Sequence, residues 1–467
     1  MTSVRLFKHY VRIPFIVLSL IEAMICIFSI YGAIEIRFMY SRENTALNAE
    51  GYLLLKTTIF ALVLVTAMAA MGLYQAQMRD GLIGYLLRLV ASFLLSLVGL
   101  SLIFYAFPDL FLGRGILVLA YAISFLGIST VRKLTIAIDP DIFRKRIVVL
   151  GAGEKASTIK QLRRKADQVG FNLIGFIHVR GEANLIEPAK MVNVNGSLHE
   201  FSVDHDIDEI VLAVDDRRKG FPIHELLDCK MRGIDIVDIQ SFFERETGKI
   251  RVDLLHPSWL IFSDGFRQSA LRDYIKRGFD IFSSILLLSV TWPFILLTTI
   301  AILAESGFKA PIFFRQVRVG EGGKPFQVLK FRSMKIDAEQ HGRAVWATKN
   351  DSRVTRVGGF IRKVRIDELP QIFNVLRGDM SFVGPRPERP EFVVDLSERI
   401  PYYDERHHMK PGITGWAQLC YPYGSSERDA LEKLQYDLYY VKNYSLFLDF
   451  LILLRTVEVV LFGKGAR

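Results

Sequence analysis

The sequence predicts a membrane protein of mixed α and α/β class. Three features carry that prediction: four long apolar runs near the N-terminus, a middle stretch of short β-branched runs alternating with amphipathic ones, and a basic, motif-dense C-terminal part. Hydrophobic residues make up 51% of the 467, which is high for a wholly soluble chain. The formal charge of +10 suits an anionic membrane surface or phosphorylated substrates. At this hydropathy nucleic acid is the weaker reading and is not expected as a partner. Cys26, Cys229 and Cys420 are far apart and form no CxxC or Cys/His cluster, so neither a disulfide framework nor a zinc site is indicated.

The apolar runs cover residues 13–36, 52–74, 82–107 and 111–131, each near the ~20 residues that cross a bilayer as a helix. Residues 1–135 therefore read as four transmembrane helices. No small-residue cleavage site follows the first run, so it reads as a retained span. Arg5, Lys8, Arg12, Arg79, Arg88, Arg132, Lys133, Arg144, Lys145 and Arg146 fall on the side of the N-terminus, and the positive-inside rule makes that side cytosolic. Arg37, Arg42, Lys56 and Arg114 lie at the opposite face, against the rule. An even number of spans returns the chain to the cytosol.

Residues 146–250 read as a Rossmann-like parallel α/β domain. Gly151-Ala152-Gly153-Glu154-Lys155-Ala156 follows a strand and opens a helix, the context a G-x-G-x-x-A phosphate loop needs. The acid expected at the end of the second strand is missing there, since that strand ends His178-Val179-Arg180. A structural or regulatory domain is thus as reasonable as a nucleotide-binding one. A fifth apolar run at 281–303 contains Trp292-Pro293; its length allows a span, and the proline also allows a re-entrant hairpin. The C-terminal run carries Asp449, Arg455 and Glu458, which suggests a helix lying on the membrane, with a buried core helix as the alternative.

The chemistry concentrates around Asp367-Glu368. Leu369, Ile372, Phe373 and Leu376 recur at helical spacing, Pro370 is tolerable only in a first turn, and Gly378 is a plausible stop. Asp367 is then expected at a helix N-terminus, where it is either a simple N-cap or a functional anion. The stretch from Asp351-Ser352 onward is rich in cations: Arg353, Arg356, Arg362, Lys363 and Arg365 precede the pair, and Arg377, Arg386 and Arg389 follow it. Gly384-Pro385-Arg386-Pro387 is a rigid turn presenting a guanidinium suited to phosphate. Amid these cations Asp367 is expected to have a lowered pKa, which suits a nucleophile or metal ligand better than a general acid.

Here the sequence closely resembles the monotopic phosphoglycosyl transferases, also called bacterial sugar transferases or polyprenyl-phosphate hexose-1-phosphate transferases. The resemblance runs in order through residues 270–467: Lys276-Arg277 and Asp280 before a Pro-broken helix; Phe314-Arg315-Gln316-Val317-Arg318-Val319-Gly320; Phe326 with Lys330-Phe331-Arg332-Ser333-Met334; Arg365 with Asp367-Glu368-Leu369-Pro370-Gln371; Val383-Gly384-Pro385-Arg386-Pro387; and Lys410-Pro411-Gly412-Ile413-Thr414-Gly415-Trp416-Ala417-Gln418. Trp292 departs from the Ser that often precedes the proline.

The resemblance implies that residues 270–467 form an α-rich monotopic catalytic domain whose helix near 281–303 re-enters the membrane. It implies transfer of a sugar-1-phosphate from a UDP-sugar to polyprenyl phosphate with release of UMP, as in the first membrane step of exopolysaccharide synthesis. Asp367 would be the nucleophile that holds the sugar phosphate covalently, and Glu368 a ligand of Mg²⁺. Lys330, Arg332, Arg365 and Arg386 are the candidate phosphate contacts, and His407 and His408 are given no role. The implied location is the bacterial inner membrane with catalysis at its cytosolic face, and a homodimer is left open. A nucleotide-sugar epimerase or dehydratase would need a Tyr-x-x-x-Lys base, yet residues 146–250 contain no tyrosine. Asp204-His205-Asp206 as a D-x-D motif reads better as a polar turn. The non-enzymatic alternative is a membrane scaffold or regulator with an inactive transferase module.

Overall fold

The computed structural model describes residues 3–6, 9–38, 50–74, 81–137, 144–160, 162, 170–194, 196–216, 218, 220–255, 259, 263, 266, 270–307, 310–335, 353–421, 424 and 426–461. Lys8, Arg42, Arg79, Asp351 and Ser352 lie outside them. The chain divides into two compact units, one running to Thr247 and one from Gly248 onward, with His9 belonging to the second.

The chain opens with β1 (Ser3–Leu6) and β2 (His9–Arg12), and the first unit continues into four long helices: α1 (Ile13–Phe38), α2 (Glu50–Ala70), α3 (Gly81–Ala106) and α4 (Arg114–Ala137). All four are long and apolar enough to cross a membrane. Between α1 and α4 lies a buried polar cluster. Arg132 is paired with Glu22, its Nη1 donates to Leu73 O at 2.9 Å, and the Tyr74 hydroxyl donates to Glu22 at 2.5 Å. Ser29 and Ser124 join the same helices at 2.8 Å. A charged pair in an apolar bundle persists only because each charge has its partner.

The α/β part is a four-stranded, wholly parallel sheet in the order β4-β3-β5-β6, from β3 (Lys145–Leu150), β4 (Phe171–Ile177), β5 (Glu209–Leu212) and β6 (Asp235–Asp238). Helices α5 (Glu154–Ile159), α6 (Leu198–Asp204), α7 (Ile223–Met231) and α8 (Ile239–Thr247) alternate with the strands. Asp204-His205-Asp206 is the turn between α6 and β5, with His205 stacked on Phe201. The glycine loop after β3 is present, but three of its amides are already occupied. Ala152 N donates to Glu182, and Glu154 N and Lys155 N donate to the two oxygens of Asp215, at 2.8–2.9 Å. Glu182 also receives Asp215 N at 2.9 Å. An acid does follow the second strand, then, five residues beyond its end; it folds back onto the loop.

In the second unit, α9 (Ala270–Glu305) is a single 36-residue helix with Pro293 inside it. The helix continues through the proline where the sequence suggested a break. β7 (Phe313–Val319) and β8 (Pro325–Phe331) form an antiparallel hairpin. Then come α10 (Arg356–Lys363), α11 (Gln371–Arg377), β9 (Ser381–Val383), α12 (Pro390–Arg399), β10 (Gly412–Thr414), α13 (Trp416–Cys420), α14 (Glu427–Asn443) and α15 (Leu446–Leu461), with β9 and β10 parallel. Helix α15 packs Leu448 and Ile452 into this unit's core. The charges that suggested a surface helix point inward instead: Asp449 is fully buried and accepts from Lys276 and Tyr440, both at 2.7 Å, and Arg455 lies over the Trp416 ring. The buried-core alternative therefore holds, because those charges have partners in the core.

Two expectations follow. Glu22→Ala should cost the helical bundle about 3 kcal/mol or more by stranding Arg132, read as lost thermal stability of the detergent-solubilised protein. A Cβ at Gly153 would sit 1.9 Å from the Asp215 carboxylate. Gly153→Ala should therefore weaken the α/β domain by about 1–2 kcal/mol through the displaced loop hydrogen bonds, while any activity of the second unit stays within a few-fold. An unchanged melting profile would contradict the first part.

Candidate active site

The backbone around Asp367 is set by three departures from regular helix. Helix α10 starts at Thr355, whose hydroxyl accepts from Gly358 N at 2.9 Å, and ends at Val364. Arg365 then takes a left-handed conformation, φ +61°, which costs a non-glycine residue free energy and turns the chain sharply. Ile366–Glu368 form one 3₁₀ turn, Pro370 precedes α11, and Gly378 ends α11 at φ +100°. The helix end and the place of Pro370 are as the sequence predicts. Asp367, however, is not the N-cap of α11; that helix begins four residues later.

Glu368 is the hub of the site. Its Oε1 accepts from Lys330 Nζ at 2.9 Å and from Arg386 Nη2 at 3.5 Å, and its Oε2 lies 4.0 Å from Arg365. Burial alone would push the Glu368 carboxyl up, but these three cations outweigh it and hold the group at about 2. Asp367 goes the other way. Burial and then the neighbouring Glu368 charge raise its pKa, against the pull of Lys330, Arg362 and Arg365. The expected lowering is thus overturned, because the cations are spent on Glu368 while Asp367 loses water. Asp367 Oδ1 is buried with no hydrogen-bond partner among the described residues, an arrangement that costs stability and leaves an oxygen ready for an incoming group.

Of the four candidate phosphate contacts, Lys330, Arg365 and Arg386 converge here. Arg332 is joined to neither carboxylate; its backbone N–H donates to Ile312 and its Nε is buried without a partner among the described residues. Arg362 was missed as a contact. It faces Asp367 from α10 and is aimed by Ser333, which accepts from its Nε at 2.8 Å. Its place in the cation-rich stretch just before the pair was the only signal in the sequence. Other motif residues build the frame: Asn374 bridges α11 to β8 through Leu329 N and Gln327 O, at 2.9 and 2.7 Å. Gly384, Gly412 and Gly415 let two strands touch, since a Cβ on any of them would meet backbone within 2.4 Å. His407 is half-shielded by burial, which lowers its pKa to about 4, and neither it nor His408 reaches the carboxylates through any contact found among the described residues.

Among the described residues no three His, Cys, Asp or Glu side chains are grouped to hold a metal. Asp367 and Glu368 supply two hard oxygen donors, a set that suits Mg²⁺ when substrate phosphates and water complete the shell. The site can therefore present a buried carboxylate oxygen beside four cations, which is chemistry for a phosphorylated electrophile.

Comparison with known proteins agrees. The family described as bacterial sugar transferase matches residues 271–463. A UDP-N-acetylgalactosamine-undecaprenyl-phosphate N-acetylgalactosaminephosphotransferase of Aeromonas hydrophila is 44% identical over 239 residues, 51% of this chain and 55% of that one, so the match spans about half of its length. The UDP-glucose:undecaprenyl-phosphate glucose-1-phosphate transferases of Xanthomonas campestris pv. campestris and Escherichia coli are each 33% identical, over 69% of this chain and 68% and 69% of theirs. With the acid pair set among these cations and relatives aligned over two thirds of their length, this chain belongs to the bacterial sugar transferase family.

Proposed function

We propose that the protein transfers a sugar-1-phosphate from a UDP-sugar to polyprenyl phosphate in two displacements at Asp367. The observation that carries this is the buried Asp367 Oδ1, without a hydrogen-bond partner among the described residues, beside a Glu368 neutralised by Lys330, Arg365 and Arg386. In the first displacement the Asp367 oxygen bonds to the β-phosphorus, the bond from that phosphorus to the bridging oxygen breaks, and UMP leaves with the electron pair. In the second, a lipid phosphate oxygen attacks the same phosphorus and the Asp367 carboxylate departs. A soluble donor and a bilayer-bound acceptor then need never align together. Lys330, Arg362, Arg365 and Arg386 offset the diphosphate charge. Glu368, with Asp367, would hold Mg²⁺, which supplies Lewis-acid stabilisation of the leaving phosphate.

The active face is cytosolic, at the bacterial inner membrane, because nucleotide sugars are cytosolic. Helix α9 supports this placement. Near its start Lys276 and Asp280 bond into the unit, near its end Ile302 packs with Phe331 and Ile361, and Glu305 accepts from Arg356 N, while the middle exposes Ile285, Val290, Phe294 and Leu297. Both ends contacting one body suits a helix that enters and leaves by one face. The α/β domain is read as structural, its phosphate loop closed by Glu182 and Asp215.

Asp367→Asn should abolish UMP release and attachment of labelled sugar phosphate, whereas wild type without acceptor should release about one UMP per site. The same variant should melt about 1–3 °C higher at neutral pH, since a carboxylate whose charged form burial and Glu368 disfavour is replaced by a neutral group. The raised Asp367 pKa means that the charged form costs stability above it, so this gain must shrink as pH falls through that pKa. Turnover should be lost over the same range, above the ordinary 3.8, because Glu368 stays ionised to about pH 2. A rate independent of pH down to the ordinary carboxylate range, or ternary-complex kinetics, would favour direct attack by the lipid. No UMP from any donor would favour the scaffold reading.

Sidedness is read at Tyr274 and Ala304, both exposed and near the two ends of α9. With the three native cysteines replaced, Tyr274→Cys and Ala304→Cys should label alike with a membrane-impermeant thiol reagent; opposite labelling would mean that α9 crosses.

A further inference from the structure

The turn that carries Arg386 has two prolines, at 385 and 387, and so lacks two of the amide donors that would normally tie a loop down. It is held by its carbonyls instead. Pro385 O accepts from Gly412 N at 2.9 Å, Pro387 O from Arg318 Nη1 at 3.2 Å, and Glu388 O from Val319 N at 2.9 Å. The carbonyl of Arg386 itself accepts from Arg406 Nη2 at 3.0 Å.

Arg406 is built in with unusual care. Its side chain is 6% exposed, the same Nη2 donates to Asp437 at 2.7 Å, Nη1 donates to the Tyr403 hydroxyl at 2.7 Å, and the guanidinium lies over the Tyr403 ring. Asp437 is on α14 and 1% exposed. Burying such a pair brings little net stability compared with apolar packing, so its presence calls for another reason. The planar fork of an arginine holds one acceptor in fixed geometry relative to another. Here the two acceptors are a carboxylate on a core helix and the main chain of the residue whose side chain reaches Glu368.

We propose that Arg406 is a positioning residue: with Asp437 and Tyr403 it fixes the main chain of Arg386, and thereby sets the Arg386 guanidinium against Glu368 and the donor phosphate. The proposal rests on the transferase reading above. Arg406 touches neither carboxylate, and its effect passes through Arg386 alone.

The test is a double-mutant cycle in the full-length, detergent-solubilised protein. Arg406→Lys and Asp437→Asn are made in the wild-type and in the Arg386→Lys background. UMP release and binding of UDP are both measured, the second remaining readable where turnover is lost, and near-ultraviolet circular dichroism checks the fold. In the wild-type background each variant should lower kcat/KM about ten-fold or more, while in the Arg386→Lys background the further loss should be under about two-fold. Should both variants fail to fold, Tyr403→Phe, which removes one hydroxyl and keeps the ion pair, is read by the same cycle, with a loss of a few-fold that disappears in the Arg386→Lys background. Equal losses in both backgrounds, or no loss with Arg386 intact, would overturn the proposal. A wild type that neither turns over nor binds UDP would overturn the transferase reading and this proposal with it.

Discussion

The second unit depends on one set of buried and half-buried charges, those on the first turns of α9. Lys276 donates to Val383 O at 3.0 Å and to Asp449 at 2.7 Å, Arg277 donates to Leu376 O at 2.6 Å, and Asp280 accepts from Ser381 Oγ and Phe382 N at 3.0 and 3.1 Å. Lys276 and Asp280 lie one helical turn apart on the same face, and Arg277 beside them. They therefore grip β9, the end of α11 and α15 at once. Strand β9 leads into the turn that bears Arg386, and α11 follows directly from Asp367-Glu368, so the longest helix of the unit carries the alignment of its most polar site. Losing Lys276 would leave Asp449 buried and uncompensated, at a cost of about 3–5 kcal/mol, and losing Arg277 or Asp280 would strand neutral hydrogen-bonding partners, at about 1–3 kcal/mol each.

Within that frame one cation field acts on two adjacent carboxyls with opposite results. Glu368 has cations in contact distance and ionises far below its usual range, whereas Asp367 has burial and a neighbouring negative charge and moves up. Separating the pair in this way gives one permanent anion and one reactive oxygen. An oxygen without a partner is poor for folding, and such groups persist where they are used.

The α/β domain makes the complementary point. Its strand, glycine turn and short helix reproduce the geometry of a phosphate loop, and its amides do meet anions. The anions are the chain's own Glu182 and Asp215. The backbone requirement for glycine at 151, where φ is +127° and a Cβ would meet Ala213 O at 2.6 Å, is structural and says nothing of a nucleotide.

What the sequence determined by itself was set by periodicity and by local backbone chemistry. The apolar runs place four helices within a few residues of those found, the β-branched runs place all four parallel strands, and Pro370 and Gly378 bound α11, because each depends on neighbours in the chain. The Asp367-Glu368 pair and three of its four expected cations were legible because their residue types and order along the chain suggest phosphate chemistry. Only the tertiary structure decided which carboxyl keeps the cations, and hence the direction of the Asp367 shift, because contact distance and burial are not functions of spacing. It likewise turned Asp449 inward toward Lys276, 173 residues away, joined Arg362 to Ser333, placed Arg406 behind Arg386, and filled the glycine loop from 30 and 61 residues downstream. Each of these is a pairing of charges across the fold, and a sequence shows that such charges exist without showing which of them will meet.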